Sequence, residues 1–411
     1  MIYHQYRSDH IAFFPTSTDI SFTAMENIGD IFNRIGVIAD DLTSAADGAS
    51  PFLTRGHKPC IYRRAATGDD AAVVSVDTGS RSMTETNAAD ATRRAVSAFD
   101  RDRTLYKTVD STLRGHVRAE ILAAFQASRR MRLVVAPAFP AAGRTTAGAI
   151  QLLDGRPVAD TGYAQDPIHP AHTSCIRDLV DPALGVPALL TVEMSDAEVR
   201  AAAASTRVVI VDADSQEKLN QRVACLAQME PALWVGSPGM ALALASLTAH
   251  ATFTGPETPA SPIRRVLIVV GSANRTSHEQ CRALGAGGVA IASRASDITE
   301  QAQIACLQAP VSRETDAGRV LPRLIDEANA ALRRQRFDAV IASGGETMDA
   351  LLQRLSIKSF NLTGELEPGF PAGYAMREPE QPLVIALKAG GFGTPATLLN
   401  AARQLSNGSR P

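Results

Sequence analysis

The chain has 411 residues, a length that favours two or three domains with sizeable cores. Hydrophobic residues make up 45% and charged residues 20%, which is an ordinary globular balance. The net charge of −2 indicates no surface for nucleic acid or membrane. Aromatic residues, at 5%, are too scarce for the stacking platforms that single-stranded nucleic acid requires.

The five cysteines are far apart and form no CxxC pair, so free thiols in a reducing cytosol are favoured over disulfides or a zinc site. No H-E-x-x-H sequence or Cys/His cluster predicts a catalytic metal held by protein ligands. The first ten residues lack the apolar core of a signal peptide, and no apolar run could span a bilayer. We therefore expect a cytoplasmic protein with neither a membrane nor a nucleic acid as partner.

Residues 1–34 have no clear period and are predicted to form an N-terminal extension without regular structure. From residue 35 the chain alternates apolar, β-branched runs with amphipathic stretches, a pattern typical of strands covered by helices on both faces. The predicted strands of this first unit are 35–39, 72–76, 105–109, 133–136 and 208–211. A helix is predicted over 117–125. Residues 140–175, rich in Pro, Gly, Thr and His, are predicted to be a long irregular excursion with a function.

Residues 251–263 contain three prolines among small polar residues and are predicted to be a linker. Apolar strands resume at 265–271, 339–342 and 383–387. We therefore expect an α/β protein with two domains, 35–250 and 264–411. Each is expected to hold a mainly parallel sheet flanked by helices, with the active site in the cleft between the domains.

An acidic pair, Asp40 and Asp41, closes the first predicted strand, where ligands of open α/β sheets usually bind. Carboxylates there can bind sugar hydroxyls, and one of them can act as a general base. The alternative is that one carboxylate only caps the helix that begins at Leu42.

A second polar segment, 106–115, ends another predicted strand. An arginine there can bind a carboxylate through two hydrogen bonds, while Asp and Ser side chains can bind hydroxyls. The alternative of a helix cap and a solvated arginine explains fewer of these polar residues. His116 follows, and it could contact a substrate or face solvent. The polar side chains of the segment are Lys107, Asp110, Ser111, Thr112 and Arg114.

Three glycine-bearing turns, 270–277, 343–348 and 388–394, mark the second unit. Each follows an apolar strand and precedes a helix-like run, where glycines let backbone amides approach a phosphate. One such turn is weak evidence, but three in one unit favour a phosphate-rich ligand. The chain has no P-loop sequence and no G-x-G-x-x-G after its first strand, so neither a P-loop protein nor a standard Rossmann dehydrogenase is indicated.

Taken in order, these segments resemble the four-carbon acid sugar kinases from about residue 35 to about residue 403. The resemblance rests on an A-D-D-x-T-G-A-x-D opening, D-S-T-L-R-G-N, a G-S turn, G-G-x-T and K-x-G-G-F-G. They correspond here to 39–47, 110–116, 271–272, 344–347 and 388–393. Ser44 and His116 depart from this pattern, which has Gly and Asn there, and the second change bears on substrate contacts.

The resemblance implies an acid-sugar domain followed by an ATP domain, with phosphoryl transfer to the terminal hydroxyl of a tetronate. Leu113 and Arg114 follow D-S-T, whereas the 3-oxo-tetronate branch lacks this pair. The chain is therefore more similar to the D-threonate and D-erythronate kinases, and D-threonate is favoured. A 3-oxo-tetronate kinase stays the alternative within the family.

From the residues and the resemblance we expect the following site. Asp41 is the candidate base, with Asp40 or Asp110 as alternatives, and Lys107 lends positive charge. Mg²⁺ is expected to bridge the ATP phosphates, reached through water by Glu346. The expected substrate-binding residues are Asp40, Asp41, Asp110, Ser111, Arg114 and His116. The expected nucleotide-binding residues are Ser272, Gly344, Gly345, Glu346, Thr347, Gly390 and Gly391.

Two rival functions remain open from the sequence. One is an oxidoreductase that binds a dinucleotide on its C-terminal sheet, and the other is a sugar-acid sensor that binds nucleotide without turnover. The sequence is also compatible with a homodimer.

Overall fold

A computed structural model describes residues 32–65, 70–166, 169–251, 262–271, 274–309, 317–335, 337–377 and 381–407. The predicted extension lies outside these ranges except for its last three residues. Most of the predicted linker, residues 252–261, also lies outside them.

The N-terminal half alternates strands with helices. Its strands are β1 (Ile35–Ala39), β2 (Cys60–Arg63), β3 (Val73–Asp77), β4 (Thr104–Thr108), β5 (Arg132–Ala136), β6 (Arg144–Ala147), β7 (Ile150–Leu153), β8 (Arg156–Pro157), β9 (Ala188–Leu190), β10 (Val208–Val211) and β11 (Ala232–Gly236). Its helices are α1 (Leu42–Ala49), α2 (Glu85–Ser97), α3 (Val117–Ser128), α4 (Asp196–Ala204), α5 (Gln216–Ala227) and α6 (Pro238–Leu247).

The C-terminal half has the same alternation with a hairpin inserted. Its strands are β12 (Val266–Val270), β13 (Ala290–Ala292), β14 (Ile304–Gln308), β15 (Ala339–Ser343), β16 (Ser359–Glu365), β17 (Pro371–Arg377) and β18 (Gln381–Lys388). Its helices are α7 (Arg275–Ala286), α8 (Ala317–Arg334), α9 (Gly345–Arg354) and α10 (Thr397–Ser406). Among the helices in the described ranges, none has the length and apolarity needed to cross a bilayer.

Both halves contribute to one fifteen-stranded sheet, in the order β13-β14-β12-β15-β18-β17-β16-β2-β3-β1-β4-β11-β5-β10-β9. Only the pairs that involve β16 or β17 are antiparallel. The predicted α/β fold with mainly parallel sheets flanked by helices is confirmed. The sequence did not indicate that the two sheets join edge to edge, which they do through Phe360 of β16 opposite Ile61 of β2.

The apolar pattern explains the local structure. β1 is buried at every position, as expected for a strand with helices on both faces. α1 buries Leu42, Ala45 and Ala49 against the sheet and begins at a capped end, because Ser44 N donates to Asp41 Oδ1 at 2.7 Å. Asp41 is therefore the member of the acidic pair that caps α1, and its part in catalysis stays a prediction.

The expectation of an irregular segment over 140–175 was wrong in part. Residues 144–157 form a three-stranded antiparallel sheet, β6-β7-β8, which contacts the main body where Thr146 lies opposite Ala213. The overlooked signal is the Asp154-Gly155 pair between β7 and β8. Both residues have positive φ, 49° and 80°, as a tight hairpin turn requires.

Candidate active site

Polar loops follow three adjacent strands, β3, β1 and β4, at their C-terminal ends. Ala39 of β1 is level with Asp77 of β3, and Ile38 is level with Lys107 of β4. Because the strands are parallel, the loops that follow them lie side by side at the C-terminal ends of the strands. This places Asp40 and Asp41, the 78–82 loop and Asp110 together.

Arg81, in the 78–82 loop, lies at the centre of this edge. Its Nε and Nη2 donate to the two carboxylate oxygens of Asp40 at 2.7 and 3.0 Å. Its Nη1 lies 2.5 Å from Asp41 Oδ2 and 3.8 Å from Asp110 Oδ2. Sequence reasoning missed Arg81, although D-T-G-S-R after the predicted strand 72–76 is a polar, glycine-bearing strand end like the others.

Asp110 and Arg114 contact each other, as their spacing in the sequence suggests. Arg114 Nη2 lies 2.6 Å from Asp110 Oδ2, and its Nη1 lies 3.0 Å from Asp166 Oδ2. The guanidinium also stacks over the ring of Tyr163 at 5.1 Å. Asp166 and Tyr163 belong to the 140–175 segment, which therefore forms part of this site.

The three carboxylates around Arg81 differ in pKa. Burial opposes ionisation of Asp40, but Arg81 and then Lys107 outweigh it and lower its pKa to about 2. Burial likewise opposes ionisation of Asp110, yet Arg81 and Arg114 hold its pKa below its usual range. For Asp41, burial opposes ionisation more strongly than Arg81 favours it. The negative charge of Asp40 acts in the same direction as burial, so the pKa of Asp41 is raised. Asp41 is thus the strongest base of the three.

Lys107 is buried below this cluster. Its Nζ lies 2.8 Å from Glu120 Oε2 and donates to Thr108 O at 2.6 Å. Ser80 Oγ donates to the other oxygen of Glu120 at 2.5 Å. The ammonium therefore has a carboxylate partner inside the protein, and its role toward the sugar acid stays a prediction.

Ser111 and His116 flank the cluster. The Ser111 carbonyl accepts from Gln151 Nε2 at 2.9 Å, which ties β7 to the 110–115 loop. A ring nitrogen of His116 lies 2.7 Å from the Met83 carbonyl, and its ring meets that of His169 edge-on at 6.4 Å.

The glycine turns follow another set of adjacent parallel strands, β12, β15 and β18. Val270 is level with Ser343, and Ser343 with Lys388, so the three turns begin at the same height. Gly344 has a φ of 109°, which an L side chain rarely adopts, and its amide donates to the Lys388 carbonyl at 2.8 Å. Ser272 of the first turn lies outside the described residues.

The first turn of α9 connects the two sets of loops. A Cβ on Gly345 would lie 2.5 Å from Thr43 Oγ1, so glycine is needed here for close packing against α1. Thr347 is buried, whereas the side chain of Glu346 is exposed. The N-terminal ends of α1 and α9 therefore meet, and they bring the acidic cluster next to the glycine turns.

Asp349, one turn further along α9, forms a second link between the halves. It accepts from Arg63 Nε at 2.7 Å and from Arg64 Nη2 at 2.7 Å. Arg64 also lies 3.1 Å from Asp77, at the end of β3. The helix that bears the G-G-E-T turn is thus tied by charge to the strand that precedes Arg81.

Comparisons with known proteins match both halves of the chain. A family model described as a sugar-binding N-terminal domain matches residues 35–244, and one described as a nucleotide-binding C-terminal domain matches 285–398. The chain is 33% identical to a D-threonate kinase of Cupriavidus necator, covering 91% of this chain and 99% of the relative. It is 32% identical to a D-threonate kinase of Bordetella bronchiseptica, with 90% and 97% covered.

More distant proteins are similar over most of the chain. A 3-oxo-tetronate kinase of Brucella melitensis is 26% identical, with 90% of this chain and 95% of the relative covered. A solved structure from Salmonella typhimurium has a TM-score of 0.75 at 22% identity and covers 90% of this chain and 99% of its own. That structure supports the fold alone.

The C-terminal ends of the strands thus bring an acidic, arginine-centred cluster next to glycine turns, and the two family matches cover the cluster and the second and third turns. The chain belongs to the four-carbon acid sugar kinase family. It is a kinase of four-carbon sugar acids, and the resemblance noted from its sequence motifs is confirmed.

Proposed function

We propose that the protein transfers the γ-phosphoryl group of ATP to the terminal hydroxyl of D-threonate. One observation carries the proposal: Thr43, beside the acidic cluster, packs on Gly345 of the glycine turns. A sugar acid and a nucleotide phosphate bound at these two places would be neighbours, as in-line transfer requires. The Leu113-Arg114 pair and the D-threonate kinases among the relatives favour this stereoisomer.

In this proposal Arg114 binds the substrate carboxylate. Its guanidinium now pairs with Asp110, whose side chain is 9% exposed, and with Asp166, whose side chain is 25% exposed. The substrate carboxylate would replace the more accessible Asp166. Asp40, Asp110, Ser111 and His116 then lie where the hydroxyl groups of the acid would be held.

Asp41 takes the proton from the attacking hydroxyl in this proposal. A useful general base binds a proton near the working pH, and Asp40 and Asp110 are held ionised by their arginines. Asp41 has a raised pKa and a more exposed side chain, 28% against 5% for Asp40. Arg81 and the Ser44 amide hold its two oxygens and fix its orientation.

The nucleotide phosphates would bind to backbone amides at the start of α9 and in the 388–394 turn. Among the described residues, no group of three His, Cys, Asp or Glu side chains is arranged to hold a metal ion. Mg²⁺ carried by ATP would take phosphate and water ligands and would need only one or two carboxylates from the protein. Glu346, exposed in the first turn of α9, is the carboxylate that we assign to that ion through water. Residues 35–250 would form the acid-sugar domain and 264–411 the nucleotide domain.

The test is ADP release with ATP and a panel of D-threonate, D-erythronate, L-threonate and a 3-oxo-tetronate. We expect the highest kcat/KM with D-threonate, and a phosphorus NMR spectrum that places the phosphate on the terminal carbon. A preference for the 3-oxo acid would contradict the proposed substrate. A change in nicotinamide absorbance without ADP would indicate the oxidoreductase, and binding without any turnover would indicate the sensor.

A further inference from the structure

Lys388 is buried at the end of β18, directly before the glycine turn, and is 1% exposed. Its Nζ donates to the carbonyls of Ala389 at 2.7 Å, Gly390 at 3.2 Å and Phe392 at 3.1 Å. Among the described residues it has no carboxylate partner within ion-pair distance. The ammonium is therefore held by the backbone of the turn alone.

Two buried side chains of α7 hold the same turn from below. Ser277 Oγ donates to the Gly390 carbonyl at 2.9 Å. Gln280 Nε2 donates to the carbonyls of Phe392 at 3.0 Å and Thr394 at 2.9 Å. Four carbonyls among residues 389–394 are thus directed into the protein.

This orientation has a consequence for the amides. A trans peptide places its C=O and its N–H on opposite sides, so each inward carbonyl turns the next amide outward. The amides that follow the three lysine-bound carbonyls belong to Gly390, Gly391 and Gly393. Within the described part of the chain none of them donates to another group, and Gly391 and Gly393 are exposed. A row of outward amides over a buried cation is a concave anion site.

We propose that Lys388 is the positioning residue of the phosphate site: by holding three carbonyls it turns the glycine amides toward the nucleotide phosphates, and its charge faces them across the turn. This role rests on the proposed function, because it needs a nucleotide at the C-terminal turns. It predicts that nucleotide affinity depends on the protonation of this one side chain.

The charge state of Lys388 can be followed by pH. Burial lowers its pKa to about 8, although Cys281 of α7 and Glu367, between β16 and β17, partly oppose this effect. Glu367 itself accepts from Thr397 Oγ1 at 3.0 Å. The ammonium is charged below about pH 8 and becomes neutral above it. A bound anion favours the charged form, so nucleotide affinity is expected to be highest below pH 8 and to fall as the pH rises through it.

The experiment measures ADP binding by calorimetry from pH 6.5 to 9.5 in the wild type and in Lys388→Met. For the wild type we expect the dissociation constant to rise above pH 8. For Lys388→Met we expect a dissociation constant raised roughly ten- to a hundred-fold at pH 7, the loss expected for charge-assisted hydrogen bonds, and no rise above pH 8. Affinity for D-threonate should be unchanged, which separates a lost phosphate site from general misfolding.

Two further variants distinguish Lys388 from its neighbours. Cys281→Ser removes a thiol that raises the pKa of Lys388, so the loss of affinity with rising pH should persist and should begin at a lower pH. Gln280→Met removes one support of the turn and keeps the lysine, so affinity should weaken while the pH profile persists.

A folded Lys388→Met protein that binds ADP within two-fold of the wild type, with the same pH profile, overturns the role of Lys388 and leaves the kinase function standing. If Lys388→Met does not fold, the wild type alone decides the question. An affinity of the wild type for ADP that stays constant from pH 7 to 9.5 overturns the proposed role of Lys388. A wild type that binds no ADP at any pH overturns both the role and the proposed nucleotide site.

Discussion

The two loop sets at the sheet edge are built from different chemical groups. Around Arg81 the contacts are made by charged side chains, with Asp40, Asp41 and Asp110 within 3.8 Å of one guanidinium. In the 388–394 turn the amides of Gly390, Gly391 and Gly393 donate to no other group among the described residues. A phosphate can be bound by backbone alone, whereas the hydroxyls of one stereoisomer need side chains of fixed direction.

Two buried lysines show the same difference. Lys107 is the penultimate residue of β4 and Lys388 the last residue of β18, and each donates to the carbonyl of the next residue, at 2.6 and 2.7 Å. Lys107 also has a carboxylate, Glu120, at 2.8 Å, whereas Lys388 has carbonyls. The first lysine therefore has a buried carboxylate to neutralise it, whereas in our proposal the charge of the second acts on a bound anion.

The largest effect is expected from Arg81→Met, which tests whether the acidic cluster depends on one cation. Three carboxylates would lose their shared partner, and removing one side of such a buried pair typically costs about 3–5 kcal/mol. We expect the free energy of unfolding to fall by that order and turnover to be lost, measured by urea denaturation and ADP release. The control is Arg118→Met, which removes an exposed pair with Asp181 and should cost at most about 1 kcal/mol. Equal losses in both variants would contradict the central role of Arg81.

Asp41→Asn tests whether the carboxylate does chemistry in addition to capping α1. Asparagine is an equally good cap, so stability should hold, while kcat should fall about 10²–10⁴-fold if the proton acceptor is lost. Asp181→Asn is a matched control, because Asp181 also caps a short helix and pairs with an arginine, Arg118, away from the site. A near-normal kcat in Asp41→Asn would move the base to Asp40 or Asp110.

Arg114→Lys tests whether the planar guanidinium of Arg114 binds the carboxylate of the sugar acid. The charge is kept and the planar fork is lost, which removes about 1.5–3 kcal/mol of charge-assisted bonding. We expect KM for D-threonate to rise at least ten-fold while KM for ATP stays the same. Asp166→Asn, which leaves the guanidinium intact, should change KM far less. Parallel increases in both KM values would show that Arg114 supports the whole site rather than the carboxylate.

The smallest expected effect concerns Asp47 in α1. Burial, with the charges of Asp41 and Glu365, raises the pKa of Asp47 to about 8. Between about pH 4 and pH 8 the folded protein therefore keeps this carboxyl protonated, whereas the unfolded chain has released the proton. Stability from this group is therefore present below about pH 4 and is lost as the pH rises toward 8. Asp47→Asn should flatten that slope and raise the melting temperature at pH 8 relative to the wild type. An unchanged pH dependence of melting would contradict the raised pKa.

Much of the site was predictable because each polar segment directly follows an apolar strand. Asp40, Asp41, Asp110 and Arg114 all occur where the pattern predicted and lie together. Arg81 was missed because the loop after β3 was not considered, although it shows the same signal. Its partners could not be inferred, since they come from three different strand ends.

The sequence alone determined the alternation of strands and helices and the family, because apolar periodicity and ordered motifs are local properties. It also determined that glycine turns follow β12, β15 and β18. Only the tertiary structure decided that the two sheets join into one continuous sheet. The pairing of β16 with β2 joins residues about 300 positions apart, and no local sequence pattern specifies such a pairing. The tertiary structure also decided which carboxylate keeps a raised pKa, because burial and the position of Arg81 set that value.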